Sequence, residues 1–148
     1  MPQFKGWLFD TCLLSEIRKK RVNPGVVAWF GGIQPEMSFV SVVTLAELDV
    51  GVVKLRVQND SQAISTQAWV ENIKQRFAQN TLAVDAATWA HWSRWQGQAL
   101  AKGHARPAVD GLLVATATQY GLTIVTRNVR DFAPYAHIHN PWTVSDTR

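Results

Sequence analysis

Four acidic residues of this chain stand where carboxylates can act together, each after a strand-like run or at the start of a helical pattern: Asp10, Glu47, Asp110 and Asp131. Carboxylates held close together repel one another unless a cation neutralises them or some of them take up protons. Carboxylate oxygens suit Mg²⁺ or Mn²⁺, and such an ion can activate water for phosphodiester cleavage. The four acids are therefore predicted to form a metal-binding catalytic site.

Each of the four acids also has a simpler structural interpretation. Asp10 could cap the helix that follows it. Thr44 and Glu47 have the spacing of a capping box, with Thr44 as the cap. Asp110 near a helix start suits the helix dipole, and Asp131 could belong to another capped turn. Capping explains each acid alone, but it does not explain why all four are predicted at one end of the same sheet.

Short strand-like runs alternate with helical patterns along the chain. Strands are predicted at residues 6–9, 37–43, 82–84 and 122–125, with a possible fifth at 137–140. Helices are predicted at residues 11–20, 26–34, 45–56, 66–78, 86–102 and 107–120, while the polar segment 58–65 is predicted as a loop or frayed helix. This alternation predicts an α/β fold of one domain, residues 1–148, with a central, mostly parallel sheet flanked by helices on both faces. Ligands collect at the carboxyl ends of the strands in such sheets, where the acids are predicted to lie.

Composition narrows the possible functions. The net charge is +4, and with four acids assigned to a metal site the other seven face fifteen basic residues, a balance of about +8 that suits a phosphate polyanion. Cys12 is the only cysteine, which fits a reducing compartment, and its place in an apolar run predicts a small buried hydrophobic residue. We find no signal-peptide pattern and no run of ~18 apolar residues, so we expect a cytoplasmic protein without a membrane span. Zinc spacing and glycine-rich phosphate loops are also missing from the sequence.

Four segments, in order and spread over nearly the whole chain, resemble the motifs of PIN-domain nucleases. They are LFDTCLLSE at residues 8–16, SVVTLAELDVG at 41–51, DGLLVA at 110–115 and TRNVRDF at 126–132. The resemblance is closest to the VapC and FitB-like toxins of type II toxin–antitoxin pairs. It implies a PIN-like three-layer fold, Mg²⁺- or Mn²⁺-dependent endoribonuclease activity on an RNA substrate, inhibition by a cognate antitoxin protein, and a homodimer.

The resemblance also implies roles for individual residues. Asp10, Glu47 and Asp110 would be the main metal ligands. Asp131 or Asn128 would fill the fourth place, and we favour Asp131 as the acid with Asn128 as its helper. The supporting residues would be Thr11, Ser15, Thr126 and Asn128. The hydroxyls of Thr11 and Ser15 would hydrogen-bond to Asp10.

Basic and aromatic residues near the motifs also have both a functional and a structural interpretation. Arg127 and Arg130 flank the predicted site and could contact phosphate, although a surface role is equally compatible with the sequence. The tryptophans at 89, 92 and 95 are spaced for one helix face, which favours core or dimer interface over base stacking.

Two other functions fit parts of the pattern. A catalytically silent PIN-like module could act only through protein or nucleic-acid contacts, but the full set of acids argues against it. A phosphoryl-transfer protein on a similar sheet would need a second aspartate where Cys12 stands, or a lysine near Arg127.

Overall fold

The computed structural model describes residues 5–143 and contains one sheet of five parallel strands. The strands are β1 (Trp7–Phe9), β2 (Ser38–Ser41), β3 (Thr81–Leu82), β4 (Thr123–Val125) and β5 (Ile138–His139), in the spatial order β3-β2-β1-β4-β5. The six α-helices among these residues are α1 (Thr11–Arg18), α2 (Pro24–Phe30), α3 (Val42–Gln58), α4 (Asp60–Arg76), α5 (Ala86–Ala101) and α6 (Ala108–Tyr120). The predicted α/β class with a parallel sheet flanked by helices is confirmed.

Two hydrophobic clusters lie on the two faces of the sheet, because neighbouring residues of a strand point to opposite sides. Phe9 and Val125 belong to the cluster with α1, α2, α3 and α4. Leu8 and Ile124 belong to the cluster with α6. All four of these side chains are fully buried. The parallel strands therefore read as continuous apolar runs, as expected for strands that are covered on both faces.

The strand order reverses beside β1. The chain adds β2 and β3 on one side of β1 and then crosses to the other side for β4 and β5. In such sheets the crevice outside the carboxyl ends of the strands, where the order reverses, is the usual ligand site. Asp10 directly follows β1 and Thr126 directly follows β4, so both residues border this crevice.

The start of α3 differs from the prediction. Ser41, not Thr44, caps this helix, because its Oγ accepts a hydrogen bond from the Val43 backbone N–H at 3.0 Å. The helix begins at Val42, and Thr44 is fully buried within its first turn. The predicted capping box is therefore wrong, and Glu47 lies in the second turn of α3. Its carboxylate is consequently free to face the crevice.

The segment 58–65 is mostly helical rather than a loop. Asn59 caps α4 by accepting a hydrogen bond from the Gln62 backbone N–H at 3.3 Å, and the helix starts at Asp60. Ala63 and Thr66 are buried, whereas the polar residues around them are exposed. The polar composition reflects the solvent side of a helix. The second helix is also displaced, to Pro24–Phe30 instead of 26–34.

Gly121 ends α6, as its position after the apolar helix predicts. Its φ of +69° is the left-handed conformation that glycine adopts without steric cost, and its N–H bonds to the Ala117 carbonyl. This turn brings the chain from α6 directly into β4. Over the described residues, no helix combines the length and the apolar character needed to cross a bilayer.

Candidate functional site

Asp10 occupies the centre of the crevice and is held by several hydrogen bonds. Its Oδ1 accepts from the Thr11 backbone N–H at 2.8 Å, so Asp10 also caps α1. Its Oδ2 accepts from the Thr126 Oγ1 hydroxyl at 2.8 Å, across the sheet from β4. Its own N–H donates to the Val125 carbonyl at 3.1 Å. These bonds fix the Asp10 carboxylate between the two strands where the sheet order reverses.

Thr11 connects Asp10 with Glu47. The Thr11 hydroxyl donates to Glu47 Oε1 at 2.8 Å instead of to Asp10. Burial raises the pKa of Glu47, the Thr11 bond opposes this rise, and the charge of Asp10 adds to it. The Asp10 carboxylate, after β1, and the Glu47 carboxylate, in α3, therefore come from different elements and still act on each other.

Asp110 carries the largest electrostatic perturbation among these acids. Burial, followed by the negative charges of Asp131, Asp10 and Glu47, raises its pKa to about 6, and the charge of Arg106 opposes the change. The side chain lies in the first turn of α6 and is partly buried. The structure thus brings all four predicted acids within electrostatic range of one another.

The segment after β4 supplies the other predicted residues. Thr126 is fully buried, and its hydroxyl accepts from the Asn128 backbone N–H at 3.0 Å while it donates to Asp10. Asn128 and Asp131 are exposed; Asn128 precedes a short 3₁₀ turn, Val129–Phe132, and Asp131 lies within it. Arg127 and Arg130 line an open groove together with these two residues. Two positive side chains therefore stand at the outer edge of the acidic site.

Two residues near Asp10 differ from their predicted roles. Ser15 is exposed, and within residues 5–143 the Asp10 carboxylate accepts from the Thr11 N–H, the Cys12 thiol and the Thr126 hydroxyl rather than from Ser15. The Cys12 thiol, predicted as a small buried hydrophobe, lies 3.4 Å from both Asp10 Oδ2 and Thr126 Oγ1 and accepts from the Arg127 N–H. Burial and the charge of Asp10 raise the pKa of this thiol. Cys12 thus packs as a neutral polar contact within the site.

Arg106 is a neighbour of the site that the sequence analysis missed. It lies in the loop before α6, where its Nη1 donates to the Asp131 carbonyl at 3.4 Å and its charge lowers the pKa of Asp110. Its guanidinium lies 5.0 Å from the centroid of the Trp95 ring. Only the position of an arginine shortly before Asp110 could have indicated this neighbour from the sequence.

The acids left out of the predicted site have other partners. Asp49 forms an ion pair with Lys74 at 3.0 Å. Asp85 and Thr88 form a capping box at the start of α5. Their hydrogen bonds separate these structural acids from the four that face the crevice.

The donor chemistry of the four acids fits a divalent cation. All are oxygen donors, and burial first and the neighbouring carboxylates second raise the pKa of Asp110 and of Glu47. Among residues 5–143, no three His, Cys, Asp or Glu side chains are close enough to form a ready-made metal site. A cation would therefore have to draw these carboxylates closer together, and its positive charge would offset the repulsion between them.

Residues 7–138 match the sequence profile described as the PIN domain, and the chain belongs to this family. Toxin FitB of Neisseria gonorrhoeae is 32% identical over 136 residues, which cover 91% of this chain and 97% of FitB. The VapC ribonuclease Y4jK of Sinorhizobium fredii is 26% identical, over 91% of this chain and 96% of that protein. The crystal structure of FitAcB from Neisseria gonorrhoeae superposes with a TM-score of 0.82 at 31% identity, covering 93% of this chain and 99% of that one.

Proposed function

We propose that this chain is a metal-dependent endoribonuclease and the toxin of a type II toxin–antitoxin pair. The observation that carries the proposal is the set of four carboxylates that act on one another at the reversal point of a parallel sheet, with the pKa of Asp110 raised to about 6. The relatives named toxin FitB and VapC ribonuclease support the same activity. Carboxylates in such a cluster are suited to Mg²⁺ or Mn²⁺.

The four acids would act together in the reaction. Asp10, Glu47, Asp110 and Asp131 would hold the ion. A bound divalent ion supplies an activated water and neutralises charge on the scissile phosphate. Thr126 and the Thr11 backbone N–H keep Asp10 oriented, while the Thr11 hydroxyl holds Glu47.

The outer side of the site would bind the RNA backbone. Arg127 and Arg130 line the groove that Asp131 also borders, and they have no side-chain ion pair within the described residues. Arginine guanidinium groups bind phosphate oxygens through charge-assisted hydrogen bonds. RNA affinity should therefore fall as salt concentration rises, without strong dependence on sequence from these two contacts.

The direct test is RNA cleavage by the purified chain, freed of any antitoxin, in Mg²⁺, Mn²⁺ or EDTA. We expect cleavage only with a divalent ion, and we expect Asp10→Asn to abolish it. Asp49→Asn is the matched control, since it removes the same charge from a side chain that is 52% exposed and paired with Lys74. Folded protein that binds RNA or a partner but cleaves nothing in either metal would instead indicate the silent binding module.

An apolar groove between α1, α2 and α4 is the surface that we propose for the antitoxin. Ile17, Val26 and Phe30 line it, and Val27 at its edge is 55% exposed. Arg18 and Arg76 also line the groove, so a segment with apolar and acidic side chains would fit it. We expect Val27→Asp to weaken antitoxin capture in a copurification assay while leaving metal-dependent cleavage intact. Unchanged capture would place the antitoxin elsewhere.

A second apolar surface supports the expected homodimer. Val50, Val53 and Val57 follow one another along α3 and are 60%, 60% and 87% exposed. Apolar stripes of this kind mark interaction surfaces. We expect light scattering to show a dimer for the unchanged chain and a monomer for the double variant Val53→Asp, Val57→Asp. A monomer in both cases would contradict the dimer.

A further inference from the structure

A shallow pocket adjoins the acidic site on the side of α5. It is lined by Trp95, Ala99, Lys102, His104, Arg106 and Pro134, and we refer to it as the Arg106 pocket. Lys102 and His104 are exposed, whereas Trp95 and Arg106 are partly buried. The pocket therefore combines an aromatic and apolar wall with a basic outer edge.

Arg106 is anchored in this pocket on several sides. Its guanidinium lies over the Trp95 ring, and its Nη1 donates to the Asp131 carbonyl. The Gln96 side chain donates to the Arg106 backbone carbonyl at 3.1 Å, which holds the loop. A guanidinium has five N–H donors, and the Asp131 carbonyl uses one of them. The remaining N–H donors lie in the plane of a guanidinium that is already held in place, and this geometry suits a phosphate group.

The pocket adjoins the four acids through Arg106 and Trp95. Arg106 contacts the backbone of Asp131, and a Cβ added to Gly111 would lie 3.3 Å from the Trp95 ring. Trp95 therefore packs closely against the residue that follows Asp110. A nucleotide bound in the pocket would lie beside a phosphodiester held at the acids.

We propose that the Arg106 pocket binds one nucleotide of single-stranded RNA next to the cleavage point. Its phosphate would bind to Arg106, and its base or ribose would lie against the Trp95 and Pro134 wall, with Lys102 at the outer edge. Bases can enter such a pocket only when they are unstacked, so a single strand is preferred over a duplex. The inference rests on the proposed nuclease function and identifies a substrate subsite for it.

The first test measures binding separately from cleavage, by the fluorescence anisotropy of a labelled single-stranded RNA of mixed sequence in EDTA. We expect Arg106→Ala to lower the affinity about tenfold and to reduce the salt dependence by about one phosphate contact. Arg106→Lys should recover part of the affinity, because it restores the charge without the planar stack. Arg56→Ala, on exposed α3 surface, removes the same charge and should change the affinity less than twofold.

The second test measures cleavage kinetics with the same variants in Mg²⁺ or Mn²⁺. Arg106→Ala should raise KM about tenfold at saturating metal ion, because the variant loses a contact to the bound substrate. Equal affinity and equal KM for Arg106→Ala and Arg56→Ala would overturn the pocket while leaving the nuclease function standing. If the unchanged chain cleaves no RNA but Arg106→Ala still lowers the affinity, the pocket stands and the nuclease function fails. Circular dichroism of each variant confirms that it is folded.

Discussion

Glu16 and Asp110 are two carboxylates in different surroundings. Glu16 is the more buried of the two, yet its negative charge is the better stabilised. The Glu16 side chain is 7% exposed, yet it accepts hydrogen bonds from the Asn23 backbone N–H at 3.0 Å, Lys19 Nζ at 3.0 Å and Trp142 Nε1 at 3.2 Å. Burial alone would raise the pKa of Glu16, but these donors outweigh it and the pKa is lowered. Glu16 is a structural anion whose partners are all present.

Asp110 has the opposite surroundings. Burial and three carboxylates raise its pKa, while the charge of Arg106 favours its charged form. Within residues 5–143, no N–H or O–H group donates a hydrogen bond to the Asp110 carboxylate. The hydrogen-bond donors around a carboxylate, rather than its burial alone, therefore decide whether its charge is tolerated. Asp110 is therefore the acid that gains most from a cation.

The largest expected effect is the loss of RNA cleavage when Asp110 is substituted. Asp110→Asn should lower metal-dependent RNA cleavage by about 10³-fold or more, because it removes a charged ion ligand with little change in shape. The measurement is kcat/KM in Mg²⁺ and Mn²⁺. Asp49→Asn is the control and should stay within about twofold. Activity retained by Asp110→Asn would remove this residue from the site.

The second prediction concerns stability at the other acid. Glu16→Gln should lower the free energy of unfolding by about 3 kcal/mol, because the new amide group turns a donor toward N–H groups that need an acceptor. Denaturant unfolding at pH 7 measures this change. Glu71→Gln, on exposed α4 surface, is the control and should have little effect. In the unchanged chain, the contribution of Glu16 is present above its unfolded pKa of 4.5 and is lost as the pH falls through the folded value.

The third prediction is a pH dependence of opposite sign at Asp110. Because the folded pKa is raised from 3.8 to about 6, the protonated acid favours the folded state at low pH, and this contribution is lost as the pH rises from about 4 to about 6. After allowance for solvent screening, we expect Asp110→Asn to be more stable than the unchanged chain by about 1–2 kcal/mol at pH 7 in EDTA. Unfolding at pH 4 and pH 7 checks this, and a variant that is less stable at pH 7 would contradict it.

The smallest effect is expected at a single donor to Glu16. Trp142→Phe keeps an aromatic ring but removes the Nε1 donor, and should cost about 1 kcal/mol of stability. When Trp142→Phe is made in the Glu16→Gln variant, it should cost less stability, because the charged acceptor is already gone. A double-mutant cycle measures this coupling. Equal costs in both backgrounds would show that the ring packs there without a functional hydrogen bond.

The sheet and the grouping of the acids could be predicted because they follow from local pattern. Apolar runs that end at Asp10 and before Thr126 identify parallel strands, and the topology of such strands brings their ends together. The start of α3 could not be predicted in this way. Both Ser41 and Thr44 can cap a helix, and only the burial of Thr44 under the fold decides between them.

Contacts between residues that lie far apart along the chain also could not be predicted from the sequence. The Thr11 hydroxyl bonds to Glu47, 36 residues away, and Cys12 contacts Thr126, 114 residues away. Arg106 joins the site only because α5 places Trp95 beneath it. Residue type predicts what a side chain can bind, whereas these choices of partner depend on how the helices pack on the sheet.

The most direct test of the account is the pKa of the Asp110 carboxyl, measured by carbon-detected NMR titration with and without Mg²⁺. In EDTA we expect a value of about 6, set by burial and by the neighbouring acids. With saturating Mg²⁺, the value should fall below its ordinary range, because the ion favours the charged carboxylate. The Glu16 carboxyl serves as the internal control and should not respond to the ion. An Asp110 pKa that is the same with and without Mg²⁺ would contradict the claim that these acids form a divalent metal site.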